Sequence, residues 1–285
     1  ISRPLYTGTM DIHIGTAGYS YPAWVGPFYP PGTRPAALLT EYARHFAAVE
    51  INNTFHRPPT VEQVTRMAGR VPPGFGFTLK VPRTASHDRS AADLPAFKLA
   101  ADRLAELGQL LGLLVQVAES YHDTPANRGW LAEIAAALRP HSLATEFRHR
   151  SWDGPDLPTW TAAAGLDVVS VSVPAIPSLF PPGLRMSNRR VYARLHSQNA
   201  ANWYAGGPAR YDFDYPDAVI RKWAGVLAAV AARGEADVAL VFFNNCVGVQ
   251  AVENAKKLAT VLGETAGAAR VGPPPPPAQA TLFEA

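Results

Sequence analysis

The sequence lacks the features that mark several large classes of protein. Its 285 residues include a single cysteine, Cys246, which excludes an internal disulfide framework. No apolar run approaches the roughly 20 residues of a membrane-spanning helix, and we find no basic and apolar leader. Hydrophobic residues make up 47% and charged residues 17%, a balance that excludes a disordered or coiled-coil chain. We therefore expect a globular, cytoplasmic protein without membrane association.

The sequence also has little net charge and few recognisable catalytic motifs. Lys and Arg total 26 against 23 Asp and Glu, an excess that permits an anionic ligand without requiring nucleic acid. The patterns G-x-G-x-x-G and G-x-x-x-x-G-K-[ST], which hold phosphates in open α/β sheets, are absent. So are H-E-x-x-H, C-x-x-C and G-x-S-x-G. The sequence thus offers no single motif from which a reaction could be inferred.

Short β-branched or aromatic runs alternate with longer helical patterns, which is typical of repeated βα units around a parallel sheet. Eight such runs occur, at 11–15, 48–52, 76–81, 113–117, 143–147, 167–173, 191–196 and 239–245. Eight is the number of strands in a TIM barrel. The sequence predicts an α/β fold, a (β/α)8 TIM-like barrel, as one domain over 10–265.

Helical patterns separate most of the runs, at 34–46, 60–70, 93–107, 124–138, 157–165, 216–233 and 248–262. The sixth unit differs, because residues 174–190 contain four prolines and no helical period. We predict an irregular loop there. Residues 1–9 are expected to be a leader outside the fold, natural or added for expression, and 266–285 a Pro-rich flexible tail.

Polar residues stand at the carboxyl ends of the predicted strands, where barrel enzymes carry their chemistry. They are Glu50, Asn52, Lys80, Gln116, Glu146, Arg148, Arg194, His196, Asn244 and Asn245. Glu50 and Asn52 lie two positions apart, so both should face the barrel mouth. Because burying several ionisable groups is costly unless a site uses them, we interpret the set as a candidate active site.

Several motifs together resemble the YecE-like family, the domain of unknown function numbered 72. They are IGTAGYSYPAW with FYPPG (14–32), FAAVEINNTFHRPP (46–59), FTLKVP (77–82), LLVQV (113–117), ATEFRHRSW (144–152), VYARLHSQN (191–199) and FFNN (242–245). The sequence departs from the family pattern at His56 and Ser197, and in VAES after Gln116. The resemblance implies a TIM-like barrel with its site at these strand ends, and it implies no activity.

The first functional hypothesis is an enzyme, a hydrolase of phosphate esters, acting on a small anionic substrate, a nucleotide or nucleic acid. Lys80, Arg148 and Arg194 would bind anionic oxygens. Glu50, Glu146 and His196 would act as general base and acid, or hold a divalent cation, Mg or Mn. Further substrate contacts are predicted from Asn52, Gln116, Asn244 and Asn245, and from the loop aromatics Tyr19, Trp24 and Trp152.

Two alternatives remain open from the residues. Glu50 and Glu146 could act on a carbohydrate, as the carboxylate pair of glycosidases does or as a sugar isomerase, although three nearby cations suit a neutral sugar poorly. A third possibility is a DNA-repair-associated adaptor. The tail peptide QATLF, with Gln279, Leu282 and Phe283, is similar to the peptides that dock repair proteins on the bacterial sliding clamp.

Overall fold

A computed structural model describes residues 10–265 and 269–271, and in the latter segment only the backbone. The strands are β1 (Met10–Thr16), β2 (Ala48–Ile51), β3 (Gly76–Lys80), β4 (Leu110–Gln116), β5 (Leu143–Glu146), β6 (Leu166–Ser172), β7 (Arg190–Leu195), β8 (Val238–Phe243) and β9 (Ala269–Val271). The α-helices are α1 (Leu38–Tyr42), α2 (Val61–Ala68), α3 (Arg83–Ser86), α4 (Leu94–Glu106), α5 (Pro125–Ala137), α6 (Leu157–Ala164), α7 (Asp217–Ala232) and α8 (Gln250–Thr265).

The strands form one parallel sheet in the order β2-β3-β4-β5-β6-β7-β8-β1-β9. Each of the first eight follows its neighbour around the sheet, and a parallel bridge between Ala17 and Glu50 brings β1 back to β2. The predicted (β/α)8 barrel is confirmed. None of the helices among the described residues is both long enough and apolar enough to cross a membrane.

Helix ends follow local signals in the sequence. Thr60 accepts a hydrogen bond from the Gln63 backbone at 3.2 Å while the Gln63 side chain accepts one from the Thr60 backbone at 2.8 Å, so α2 begins with a reciprocal cap. Helix α6 ends at Gly165, whose φ of 73° lies in the left-handed region that favours glycine. The crossover from β6 to β7 contains no helix, which confirms the irregular sixth unit.

The seam between β1 and β2 is closed partly by a side chain. The Tyr42 hydroxyl accepts a hydrogen bond from the Thr16 N–H at 2.9 Å and donates one to the Ala48 carbonyl at 3.1 Å. Below it, β9 pairs with Met10–Ile12 of β1. Strand β9 therefore lies within the segment that the sequence assigned to a flexible tail. The prediction for 266–285 is corrected at 269–271, because these residues supply an additional edge to the sheet.

Candidate functional site

The strand ends converge on Arg194, near the end of β7. Its guanidinium donates from Nη2 and Nε to Glu50 Oε1, at 2.6 and 3.2 Å, and from Nε to Glu50 Oε2 at 3.0 Å. Nη1 pairs with Oε2 of Glu146 and donates to Gln116 Oε1 at 3.2 Å. Arg194 is 1% exposed and both carboxylates are 0% exposed. One buried guanidinium thus joins three strands across the barrel.

Glu50 is also bound from below by Tyr192, which sequence reasoning did not identify. The Tyr192 hydroxyl donates to Glu50 Oε2 at 2.7 Å and lies 3.1 Å from Thr78 Oγ1. Burial and the neighbouring Glu50 charge raise the Tyr192 pKa well above its usual value, so the phenol stays protonated. The signal was present in the sequence, since Tyr192 precedes Arg194 by two residues and shares its face of β7.

Glu146 lies among cationic and imidazole groups. Arg148 Nε and His196 Nε2 lie 2.6 and 3.2 Å from its Oε1, and neither N–H is aligned as a hydrogen bond. Burial alone would raise the Glu146 pKa, but Arg148, Arg194 and His196 outweigh it and hold that pKa well below its ordinary value. Glu146 is therefore a carboxylate, tied to cations, at neutral pH.

His196 is a neutral imidazole. Burial lowers its pKa to about 4, despite the opposing charge of Glu146. Asn244 Nδ2 donates to His196 Nδ1 at 2.9 Å, so the ring proton is on Nε2, the nitrogen that faces Glu146. A single amide thereby determines the tautomer of this histidine.

Above the buried cluster lies a cavity of about 890 Å³ at the barrel mouth. Five of the predicted site residues line it: Asn52, Lys80, Gln116, Arg194 and Asn244. The cavity is also lined by Tyr21 and by residues that sequence reasoning missed, among them Phe55, His56, Arg210 and Tyr211. Only the spatial approach of loops after β1, β2 and β7 brings these together, and no local pattern marks them.

Lys80 is one of two cations in this lining, with Arg210, that are not paired with a carboxylate among the described residues. Its Nζ donates to Gln116 Oε1 at 3.0 Å and lies 4.3 Å from the centre of the Phe55 ring. Burial and then the repulsion of Arg194 lower its pKa to about 8. The nearby Cys246 thiol has a pKa raised to about 12 by burial, so it stays protonated.

Five predicted contact residues lie away from the cavity lining, and one of them, Arg148, is paired with Glu146 instead. Trp24 is fully buried among Tyr21, Phe28 and Tyr29, and Tyr19 packs near Tyr42. Trp24 and Tyr19 therefore stabilise the packing of the loop, because large rings bury a large apolar area against one another.

Trp152 and Asn245 are likewise tied into the structure. Trp152 stacks on Phe147 and donates from Nε1 to the Tyr121 carbonyl. Asn245 donates to the Phe213 carbonyl and to Asn254 Oδ1, both at 2.8 Å. The predicted ligand-binding role of these residues is not supported by their positions.

The predicted metal ligands do not form a cation site. Glu50 and Glu146 face each other across the Arg194 guanidinium, which binds both carboxylates. A divalent cation between them would have to displace that positive charge. Within 10–265 no group of at least three His, Cys, Asp or Glu side chains is arranged to hold a metal. The predicted set of Glu50, Glu146 and His196 therefore does not fit a Mg or Mn ion.

Comparisons with family models, curated proteins and solved structures all indicate the same family. A family model described as "Protein of unknown function DUF72" matches residues 13–280. The UPF0759 protein YunF of Bacillus subtilis is 23% identical over 275 residues, covering 88% of this chain and 94% of that protein.

Solved structures of two DUF72 family proteins superpose on the barrel. That of Thermotoga maritima has a TM-score of 0.81 at 28% identity and covers 89% of this chain and 99% of its own. That of Enterococcus faecalis has a TM-score of 0.77 at 26% identity, covering 88% and 95%. The likeness extends over the barrel as a whole.

Proposed function

The chain belongs to the DUF72 family of barrel proteins, and from its barrel mouth we propose that it is an enzyme that binds a small phosphate-bearing substrate, a nucleotide or a related ester. One observation carries the proposal. Among its described lining residues the cavity has three cations, Lys80, Arg194 and Arg210, and no carboxylate. A concave site with an excess of positive charge attracts anionic ligands.

The charges beneath the cavity support the same proposal. Glu50 and Glu146 are balanced by Arg194 and Arg148 through buried ion pairs. Lys80 and Arg210 then remain without a carboxylate partner among the described residues. A phosphate group would supply the missing negative charge, and its oxygens would accept charge-assisted hydrogen bonds.

Other groups in the lining suit the remainder of such a ligand. Tyr21, Phe55 and Tyr211 present aromatic surface on which a base or sugar could pack. The Oδ1 of Asn52 is buried and has no hydrogen-bond partner among the described residues. A hydroxyl or amino group of the ligand would satisfy it.

The carbohydrate hypothesis receives less support from this geometry. A glycosidase needs two carboxyl groups flanking the bond that it cleaves, one of them as a proton donor. Here both carboxylates are fully buried and bound to the same guanidinium, and the depressed pKa of Glu146 keeps it ionised. Hydrolysis assisted by a metal ion is also disfavoured, because the Arg194 guanidinium lies between Glu50 and Glu146, where a divalent cation would have to bind.

The test compares ligand binding by the wild-type protein with binding by three variants, each of which removes one positive charge. We expect AMP, and less strongly inorganic phosphate, to raise the melting temperature of the wild-type protein, and ribose to have no effect. Lys80→Met and Arg210→Met should each weaken AMP binding by roughly tenfold or more, because each removes a charge-assisted hydrogen bond. Lys222→Met, on α7 outside the cavity lining, is the control and should bind like wild type. Equal AMP affinity in all four proteins would contradict the proposal.

A further inference from the structure

Lys80 occupies an unusual position for a lysine in a barrel. It is the last residue of β3 and lines the mouth cavity, where its amine is held between the Gln116 amide oxygen and the Phe55 ring face. No carboxylate among the described residues lies within ion-pair distance of its Nζ, although Arg194 and Arg148 each pair with Glu146. The amine is therefore oriented but not neutralised.

Charged groups from several elements face this amine. Arg194 of β7 repels it most strongly, Glu146 of β5 and Glu50 of β2 attract it, and Arg148 after β5 repels it more weakly. His87 after α3 also interacts electrostatically with it. Burial is the largest influence, and together with these charges it lowers the Lys80 pKa to about 8. A fraction of the amine is then unprotonated near neutral pH, and the unprotonated form is the nucleophile.

We propose that Lys80 is a catalytic nucleophile that forms a Schiff base with the carbonyl carbon of a phosphate-bearing aldehyde or ketone. The proposal rests on the phosphate-binding function above and narrows its substrate class. Cations in the cavity would hold the phosphate, while Lys80 would react with the carbonyl at the other end of the molecule. A cavity of about 890 Å³ has room for both ends of a small sugar phosphate or nucleotide-derived aldehyde.

The step is balanced without an oxidant or a metal. The lone pair of Nζ attacks the carbonyl carbon, and a proton passes from the nitrogen to the carbonyl oxygen to give a carbinolamine. A proton from solvent then lets the hydroxyl leave as water, which leaves a protonated C=N bond between substrate and Lys80. The protonated imine withdraws electrons from the neighbouring carbon, which activates an adjacent C–H or C–C bond.

Gln116 is the positioning residue for this step. Its Oε1 accepts hydrogen bonds from Lys80 Nζ at 3.0 Å and from Arg194 Nη1 at 3.2 Å. The amine is thus tied to the rigid guanidinium that joins the strands. A protonated imine keeps one N–H, which could remain bonded to the same oxygen.

The experiment uses pyridoxal 5′-phosphate, an aldehyde that carries a phosphate, on the full chain. Borohydride reduces any imine to a stable secondary amine, and mass spectrometry of the peptides then locates the label. Lys98, Lys222, Lys256 and Lys257 serve as internal comparisons. We expect Lys80 to be labelled at least tenfold faster than these at pH 7, with a half-maximal rate near pH 8 instead of the value of about 10.4 usual for lysine.

Variants separate a chemical role from a structural one. Lys80→Arg keeps the charge and removes the nucleophile, so labelling at this position should be lost. Gln116→Glu places a carboxylate beside Nζ, so the pH midpoint of Lys80 labelling should rise and the rate should recover at high pH. Lys222→Arg is the matched control and should leave Lys80 labelling unchanged. An unaltered pH midpoint in Gln116→Glu would contradict the positioning role.

Pyridoxal, the same aldehyde without phosphate, distinguishes failure of this proposal from failure of the proposed function. Because pyridoxal closes on itself as a hemiacetal and reacts more slowly with every amine, the preference for Lys80 over the other four lysines is compared. A greater preference with the phosphorylated aldehyde supports both. An equal preference with the two aldehydes supports the nucleophile and contradicts phosphate binding. If Lys80 reacts no faster than the other four lysines with either aldehyde, the Schiff-base proposal is overturned, even where AMP still stabilises the protein.

Discussion

Arg194 is the residue on which the buried polar cluster depends. It contacts Glu50, Glu146 and Gln116, and all three lie on different strands. The sequence placed each of these residues at a strand end, and the structure brings them together. The sequence could not show that the arginine lies between the carboxylates, because pairing among side chains so far apart in the chain depends on the closed sheet.

Removing the Arg194 charge should strongly destabilise the protein. Arg194→Met leaves two buried carboxylates without their shared cation, for which we expect a loss of about 3–5 kcal/mol in the free energy of unfolding. Urea denaturation measures it. Arg194→Met combined with Glu50→Gln and Glu146→Gln should recover part of the loss, since the unpaired charges are removed as well.

The surface pair of Arg233 and Glu235 provides the control. Arg233 is exposed and its partner lies two residues away, so Arg233→Ala should leave the urea midpoint unchanged. A midpoint for Arg194→Met equal to that of Arg233→Ala would show that the buried cluster contributes nothing to stability.

Strands β1 and β2 form the least regular contact of the barrel. They share one bridge, Ala17 with Glu50, and the Tyr42 hydroxyl fills part of the gap above β9. Gly15 lets the two backbones approach, because a Cβ at this position would stand 2.1 Å from the Ala48 carbonyl oxygen. The sequence predicted both strands but not this close approach, since nothing local distinguishes Gly15 from a glycine at a strand end.

Adding one methyl group at this seam should be costly. Gly15→Ala forces β1 away from β2, and we expect a loss of about 1–3 kcal/mol in the free energy of unfolding. Gly225→Ala is the matched control, because its Cβ on α7 would meet nothing within 4 Å. Helix propensity then predicts a gain of roughly 0.5–1 kcal/mol. Thermal unfolding followed by circular dichroism distinguishes the two, and equal melting temperatures would contradict the close approach.

The whole molecule combines a closed barrel with a terminal peptide, and they can be tested separately. The predicted docking residues Gln279, Leu282 and Phe283 lie outside the described residues. Their match to a clamp-binding peptide therefore stays a prediction, independent of the barrel chemistry.

Docking of the full chain on a bacterial sliding clamp should depend on this peptide alone. Leu282→Ala and Phe283→Ala should each abolish co-purification with the clamp, because they remove the apolar anchors. Ala280→Leu should strengthen it, since leucine is the usual residue at that position of the motif. Lys80→Met in the barrel mouth should bind the clamp like wild type. Retention of binding in Phe283→Ala would contradict a docking role for the tail.

The fold itself could be read from the sequence because its signals are local. Each of the eight predicted strands overlaps an observed one, and the proline-rich crossover before β7 has no helix, as expected from its composition. The ends shift by up to three residues, as at β4, which begins at Leu110 instead of 113. Apolar-to-polar changes at the strand ends also predicted five residues of the cavity lining, since parallel strands bring those ends to one edge.

What remained for the tertiary structure to decide was which polar and aromatic groups meet. Trp24 and Trp152 resemble ligand-stacking residues in the sequence, yet they are buried in loop packing. Lys80 resembles the strand-end cations Arg148 and Arg194 in the sequence, yet unlike them it has no carboxylate partner among the described residues. The physical reason is that burial and charge pairing arise between residues distant in the chain. Local sequence determines the strands and their polar ends, and closure of the barrel determines the charge, tautomer and reactivity of the groups placed there.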